Sequence, residues 1–129
     1  MPSIFTKIIN GEISCHKIAE TEDYFAFLDV FPCALGHTLV VPKKEIDYLF
    51  DMSDELYLGL MAFAKSIEPA IKKAVPCKRV GVAVIGLEVP HAHVHLIPMN
   101  SLNDMNFNSK IKISKEELGE IAERIKANL

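Results

Sequence analysis

Three histidines alternate with apolar residues in the run His-Ala-His-Val-His-Leu-Ile at residues 91–97. Successive side chains of a β-strand point to opposite faces, so His91, His93 and His95 are predicted to share one face at intervals of about 6.8 Å. The residues between them would then face a hydrophobic core: Ala92, Val94 and Leu96. The run therefore predicts a strand with one imidazole-bearing face and one buried face.

Three adjacent imidazoles are an unfavourable structural choice, because histidine has a mediocre strand propensity and protonated rings repel one another. Two functional interpretations remain. The first is a metal site, since neutral imidazole is a common ligand, although three positions spanning about 13.6 Å are too far apart for one ion. The second is covalent catalysis at phosphorus, in which one imidazole attacks and its neighbours donate hydrogen bonds to phosphoryl oxygens. We favour phosphorus chemistry, because no carboxylate or thiolate stands beside the histidines in a recognisable ligand spacing.

The other strands are predicted from short aromatic or β-branched runs bounded by turn residues. These runs occupy residues 24–28, 37–41 and 79–85, and the histidine run supplies a fourth strand at residues 92–97. Residues 86–90 lie between the last two strands and favour an antiparallel hairpin. Since the elements do not alternate as βαβ units, we expect an α+β fold with an antiparallel sheet.

Three helices are predicted. A short one covers residues 4–9, and a long amphipathic one follows Ser53, a favourable N-cap. We expect Pro69 to kink or end the long helix near Glu68, because proline lacks the backbone donor and crowds the preceding turn. A last helix begins after Ser114, where the sequence has the form of a capping box. Its apolar face is predicted to consist of Leu118, Ile121, Ala122 and Ile125.

Composition limits the classes of protein to consider. A chain of 129 residues that is 50% hydrophobic fits a single folded domain. The chain has a net charge of −3, which argues against the basic surface that a protein needs to bind a DNA or RNA duplex. Three cysteines without a Cys-x-x-Cys pair favour reduced thiols over a disulfide framework. No signal peptide and no apolar stretch of about 18 residues is recognisable, so we expect a cytoplasmic protein that does not enter a membrane.

Residues 91–97 match the signature His-φ-His-φ-His-φ-φ, in which φ is apolar, and by this motif the chain resembles the histidine triad (HIT) family. Residues 3–13, 25–30 and 36–44 resemble, in family order, segments of the branch that contains the histidine triad nucleotide-binding proteins. The resemblance implies one HIT domain over residues 1–129, whose motif-bearing part is about 3–99. Its fold would be a sheet of about five antiparallel strands with a long helix packed on it, and residues 100–129 would form an extension with a C-terminal helix.

The resemblance also implies a hydrolase that cleaves the α-phosphate linkage of an AMP-type purine nucleotide conjugate, such as a nucleoside phosphoramidate. His93 would be the nucleophile and form a nucleotidyl-histidine, and His95 would donate to a phosphate oxygen. His91 would support this network, His37 would orient the triad, and Asp29 would accept from the ribose hydroxyls. Apolar side chains would surround the base: Phe5, Ile8, Phe27, Leu28 and Val30.

Alternatives remain at this point. The same triad would suit a dinucleoside polyphosphate hydrolase or a nucleotide-binding module with little turnover. From the residues alone, each apolar side chain also fits an ordinary core, and Asp29 fits a turn before Pro32. The resemblance further implies a homodimer with one continuous sheet. The apolar stripe between Leu56 and Ile71 is a candidate for the contact, and a core within the chain fits this stripe equally well.

The chain departs from the family pattern before the triad, where the loop at residues 82–85 is also shorter and lacks the Asn of relatives, and near its N-terminus. Gly86-Leu87-Glu88-Val89 stands where members of this branch often have a Gly-Gln-Ser-Val-type stretch whose polar groups reach the phosphate. Recognition of the leaving group is therefore expected to differ. Ser3 and Thr6 stand where some relatives have zinc-binding cysteines, so we expect no metal ion, and we expect no other cofactor.

Overall fold

The computed structural model describes residues 1–129 and contains a five-stranded sheet and three α-helices. The strands are β1 (Lys17–Glu20), β2 (Tyr24–Leu28), β3 (Thr38–Pro42), β4 (Arg79–Ala83) and β5 (Val94–Met99). Their order in the sheet is β1-β2-β3-β5-β4, and every neighbouring pair is antiparallel. The helices are α1 (Ile4–Ile9), α2 (Asp54–Ala74) and α3 (Lys115–Ala127). The predicted α+β class with an antiparallel sheet is confirmed.

The alternation of side chains along the strands divides the apolar residues between the two faces of the sheet. One face carries a core of 19 buried residues, which includes Leu28 of β2, Val40 of β3 and residues of α2 and α3. The residues predicted to enter a core from the histidine run all belong to it: Ala92, Val94 and Leu96. The other face carries a smaller buried cluster: Phe5, Phe25, Phe27, Leu39 and Val41. Helix α1 therefore packs on the face opposite α2 and α3.

The histidine run forms less strand than its pattern predicts. Strand β5 begins at Val94, so only His95 of the triad lies within it, and the expectation of three histidines on one regular strand is wrong. The backbone before β5 is bound outside the sheet, since the Ala92 N–H donates to the Ile46 carbonyl at 2.7 Å. Strands β4 and β5 do pair antiparallel, as predicted, but their connection covers residues 84–93 and carries His91 and His93.

Helix α2 continues through Pro69 to Ala74, so the predicted end near Glu68 is wrong, while the alternative of a kink at Pro69 stays a prediction. An internal proline costs a helix about 3 kcal/mol. The turns after Pro69 bury Ala70, Ile71 and Ala74, and burying one large aliphatic side chain contributes about 1.5–3 kcal/mol. Packing of these turns therefore offsets the cost of the proline.

Helix α3 follows its prediction closely. The Ser114 side chain accepts the Glu117 N–H at 3.1 Å and caps the helix. The predicted apolar face is buried in full: Leu118, Ile121, Ala122 and Ile125. None of the helices combines the length and apolar character needed to cross a membrane.

We predict that Pro69→Ala increases the free energy of unfolding by about 1–3 kcal/mol, because alanine restores a backbone donor in an exposed part of α2. Urea denaturation monitored by circular dichroism measures the change. Pro76→Ala is the matched control, since Pro76 is exposed in the loop after α2 and its replacement restores no helical hydrogen bond. A loss of stability in Pro69→Ala would contradict this account of α2.

Candidate active site

A cavity of about 520 Å³ lies on the α1 face of the sheet. It is bordered by α1, the end of β2, the connection between β4 and β5, and the loop that follows β5. His93 and His95 border it, as do all six residues predicted to bind the nucleotide: Phe5, Ile8, Phe27, Leu28, Asp29 and Val30. Side chains that are far apart in the sequence therefore meet in one concave site.

These six residues do not contribute equally. The Phe5 ring packs edge-on against His93, with centroids 4.9 Å apart, and also against Phe27 at 5.5 Å. Leu28 borders the cavity, but its side chain is 1% exposed and belongs to the core on the opposite face, so its predicted contact with the base stays a prediction. Val30 is half-exposed beside the cavity.

His93 has its hydrogen-bonding pattern set by the backbone. Its Nδ1 lies 2.8 Å from the His91 carbonyl oxygen, and a carbonyl only accepts, so Nδ1 carries the proton. The neutral ring then has an unprotonated Nε2. Burial lowers the pKa of His93, while the His91 carbonyl and the Asp29 carboxylate act in the opposite direction. A neutral imidazole with a free Nε2 lone pair is the form that can act as a nucleophile.

His37 and His95 form a second chain of hydrogen bonds. The Cys33 N–H donates to His37 Nδ1 at 2.9 Å, so the proton of neutral His37 is on Nε2. That Nε2–H donates to His95 Nδ1 at 2.9 Å, which places the proton of His95 on its own Nε2. Burial, followed by the charges of neighbouring histidines, lowers the pKa of both His37 and His95 to about 3. His95 is therefore a neutral hydrogen-bond donor beside His93.

His91 does not border the cavity and is fully buried. Its Nε2 donates to the Pro42 carbonyl at 2.8 Å, and its Nδ1 accepts from the Ser3 hydroxyl at 2.7 Å. The Ser3 N–H and the Thr6 hydroxyl in turn donate to one oxygen of Glu45, at 2.6 and 2.7 Å. His91 thus connects the end of β3 to the start of α1, and the sequence analysis had assigned no role to Glu45.

Asp29 fits both interpretations given to it. One carboxylate oxygen accepts the Phe31 N–H at 2.9 Å, which is the turn interpretation, and the side chain also borders the cavity. The other oxygen lies 3.7 Å from His37 Nε2, but His37 is neutral and the pair is not an ion pair. Burial raises the pKa of Asp29, and the Phe31 N–H partly opposes this.

One group of side chains could hold a metal ion. Asp29, His37 and His95 each offer a ligand atom within 4.8 Å of the others. An ion there would have to break the His37–His95 hydrogen bond, which uses one ligand nitrogen of each ring. The expectation of a site without metal or cofactor stays a prediction.

Two residues of the C-terminal extension border the site although no sequence pattern predicts them there. Phe107 packs its ring edge-on against His95, at 4.8 Å between centroids, and Lys110 places its Nζ 5.0 Å from the Phe107 ring centroid. Both border the cavity. Their loop is irregular and rich in Asn, so no periodic signal could have placed it over the site.

The residues before the triad that differ from the family pattern also lie at this site. Leu87 and Glu88 border the cavity, and Leu87 is 89% exposed. The Glu88 carboxylate is near enough to raise the pKa of both His93 and Asp29, after larger contributions from burial and backbone hydrogen bonds. The site therefore contains two carboxylates where a phosphate is expected to bind.

We predict that stability decreases as the pH falls from 7 to 5. An imidazole of the unfolded chain titrates near pH 6.5, whereas the pKa of His37 and of His95 is about 3 in the folded protein. Between these values the unfolded chain binds more protons, so the free energy of unfolding falls by up to about 1.4 kcal/mol per pH unit for each histidine. Urea denaturation at pH 7, 6 and 5 measures this slope.

His95→Gln should reduce the slope, because one of the two histidines with the most strongly lowered pKa is removed. The raised pKa of Asp29 acts in the opposite sense at lower pH, so the comparison stops at pH 5. Equal stability at pH 7 and pH 5 would show that the buried histidines are not held neutral by the fold.

Residues 10–102 match the sequence profile of the HIT domain. The adenosine 5′-monophosphoramidase of Schizosaccharomyces pombe is 35% identical over 99 residues, which cover 76% of this chain and 74% of the relative. That of Saccharomyces cerevisiae is 40% identical over 96 residues, which cover 74% of this chain and 61% of the relative.

A solved structure agrees with these matches. The crystal structure of a Hit-like protein from Bartonella henselae superposes with a TM-score of 0.86 at 33% identity, covering 98% of this chain and 96% of that one. The sequence profile and the relatives at this level of identity confirm the resemblance inferred from the triad. The chain belongs to the histidine triad (HIT) family.

Proposed function

We propose that this protein hydrolyses AMP-type phosphoramidates of a purine nucleoside through a nucleotidyl-histidine intermediate on His93. The observation that carries the proposal is the hydrogen bond from His93 Nδ1 to the His91 carbonyl, at 2.8 Å, which leaves Nε2 unprotonated in the cavity. The substrate class is supported by the two yeast relatives, which are named adenosine 5′-monophosphoramidases.

The first half-reaction uses the Nε2 lone pair of His93. It forms a bond to the α-phosphorus while the bond from phosphorus to the leaving nitrogen breaks, and the amine keeps that electron pair and takes a proton from solvent. The nucleotidylated ring becomes cationic. The His91 carbonyl and the Asp29 carboxylate, which raise the pKa of His93, favour positive charge on the ring and so stabilise this intermediate.

His95 contributes a hydrogen bond rather than a charge. Its Nε2–H is directed by the bond that Nδ1 accepts from His37, and it would donate to a phosphate oxygen as negative charge develops there. In the second half-reaction water attacks phosphorus, the bond to His93 breaks, and the nucleoside monophosphate is released. One water molecule is consumed overall.

The rest of the cavity suits a nucleoside. Phe5, Ile8 and Phe27 provide an apolar wall for a base, next to His93. Asp29 has one oxygen occupied by the Phe31 N–H, and its second oxygen would accept from the ribose hydroxyls. Base, ribose and phosphate would thus follow one another from α1 to the triad.

We predict that His93→Ala reduces hydrolysis of an adenosine phosphoramidate by about 10³-fold or more, since removal of a nucleophile eliminates the covalent route. Release of the amine measures the rate. His16→Ala is the matched control, because His16 is half-buried beside α3 and does not border the cavity. Equal rates in the wild type and His93→Ala would contradict the mechanism. AMP binding by the wild type without turnover would favour a binding module.

We also propose a homodimer that forms along β4. This strand is an edge of the sheet, and Val82 on it is 53% exposed. An unpaired edge strand presents free backbone donors and acceptors that a second copy can use. The apolar stripe of α2 contributes less than expected, because most of it is buried within the chain: Leu60, Ala64, Ile67, Ala70 and Ile71.

Size-exclusion chromatography with light scattering at two protein concentrations is expected to give the mass of a dimer. Val82→Lys should shift the protein towards monomer, because a charge at this edge opposes strand pairing. Leu129→Lys is the control, since Leu129 is 59% exposed and follows α3, which packs against β1 at the opposite edge of the sheet. A monomeric wild type at both concentrations would contradict the proposal.

A further inference from the structure

Lys110 is the only lysine or arginine that borders the cavity. It lies in the loop between β5 and α3, outside residues 10–102 that match the HIT domain. We propose that Lys110 binds the negatively charged phosphate of the nucleotide on the His95 side of the site. This inference rests on the proposed function and assigns phosphate recognition to a residue of the C-terminal extension.

The charges around the cavity create the need for a cation. Asp29 and Glu88 both border the cavity with carboxylates. His37 and His95 add hydrogen bonds but no charge at neutral pH, because burial lowers the pKa of each to about 3. Without Lys110, an entering phosphate would meet two negative side chains and no positive one, and like charges in a partly desolvated site repel strongly.

The geometry places Lys110 where it can act. Its Nζ lies 5.0 Å from the centroid of the Phe107 ring, a cation–π distance, and that ring packs against His95 at 4.8 Å. The positive charge of Lys110 also lowers the pKa of His37, of His95 and of Asp29, in each case as a smaller contribution than burial. The ammonium group is therefore within electrostatic range of the triad side of the cavity.

The loop that carries Lys110 is attached to the rest of the site. The Ile111 N–H donates to the Pro32 carbonyl at 3.0 Å, and the Cys33 thiol lies 3.7 Å from the Asn106 carbonyl oxygen. These contacts lie on both sides of Lys110 in the sequence and limit where its side chain can reach. They also join the loop to Cys33, whose N–H orients His37.

A lysine ammonium binds phosphate oxygens as a point charge and needs no fixed approach angle. It would offset the charge of Glu88, which stands in the run where members of this branch often carry polar residues. Because this attraction is present in the bound substrate as well as in the transition state, it should lower KM more than it raises kcat. Lys110 would therefore distinguish nucleotides from uncharged nucleosides.

The test compares Lys110→Met with Lys112→Met, a matched change at an exposed lysine two positions later that does not border the cavity. Isothermal titration calorimetry with AMP and with adenosine measures binding. We expect Lys110→Met to weaken AMP binding about tenfold and to leave adenosine binding unchanged. Lys110→Arg, which keeps the charge, should retain AMP affinity within about threefold. With an adenosine phosphoramidate, Lys110→Met should raise KM about five- to tenfold and change kcat less than twofold.

The possible results test phosphate binding by Lys110 separately from the proposed hydrolysis. Equal losses for AMP and adenosine in Lys110→Met would show a merely structural role for the loop and overturn the inference. Unchanged AMP affinity in this variant, with hydrolysis intact in the wild type, would overturn the inference and leave the proposed function standing. Charge-dependent AMP binding through Lys110 without hydrolysis by the wild type would support the inference and contradict the proposed function. No AMP binding by the wild type would overturn both.

Discussion

Backbone groups with a single hydrogen-bonding role fix the protonation pattern of the histidines, and the chemistry of the site depends on this constraint. The carbonyl of His91 only accepts and the N–H of Cys33 only donates, so each determines which nitrogen of the adjacent ring carries the proton. The consequence is a pair of neighbouring neutral imidazoles with opposite patterns. His93 presents a lone pair, and His95 presents a donor. Neither pattern requires a carboxylate in contact with either ring.

The short helix α1 is held in place by contacts with the histidines of the triad. Six residues are too few to form a stable helix alone, so tertiary contacts must hold α1 in place. Phe5 packs against His93, and Ser3 links the start of the helix to both His91 and Glu45. The helix that walls the cavity is thus anchored through the buried member of the triad. This explains why His91 matters to the site although it does not border the cavity.

Much of this arrangement could be predicted from the sequence, because it is encoded locally. The strand at residues 24–28, the capped helix after Ser114 and the core residues between the histidines all follow from short patterns. The missed features depend on contacts between distant residues. Helix α2 continues beyond Pro69 because its last turns bury apolar side chains such as Ile71. Strand β5 starts two residues later than predicted because the Ala92 N–H donates to the Ile46 carbonyl. Glu45 and Lys110 have ordinary surroundings in the sequence, and only the fold brings them to the site.

The connection between β4 and β5 has two parts that differ in how readily their residues can be substituted. Its later part is fixed at both His91 nitrogens and at the Ala92 N–H, so an altered residue there would disturb buried hydrogen bonds. Its earlier part, with the exposed Leu87 and Glu88, makes no such bonds and still borders the cavity. Substitutions in the first half of this loop can therefore change the border of the cavity, while the second half keeps the His93 ring in place. The shape of the cavity and the position of its imidazole can thus change independently, although only a few peptide units separate the residues that set them.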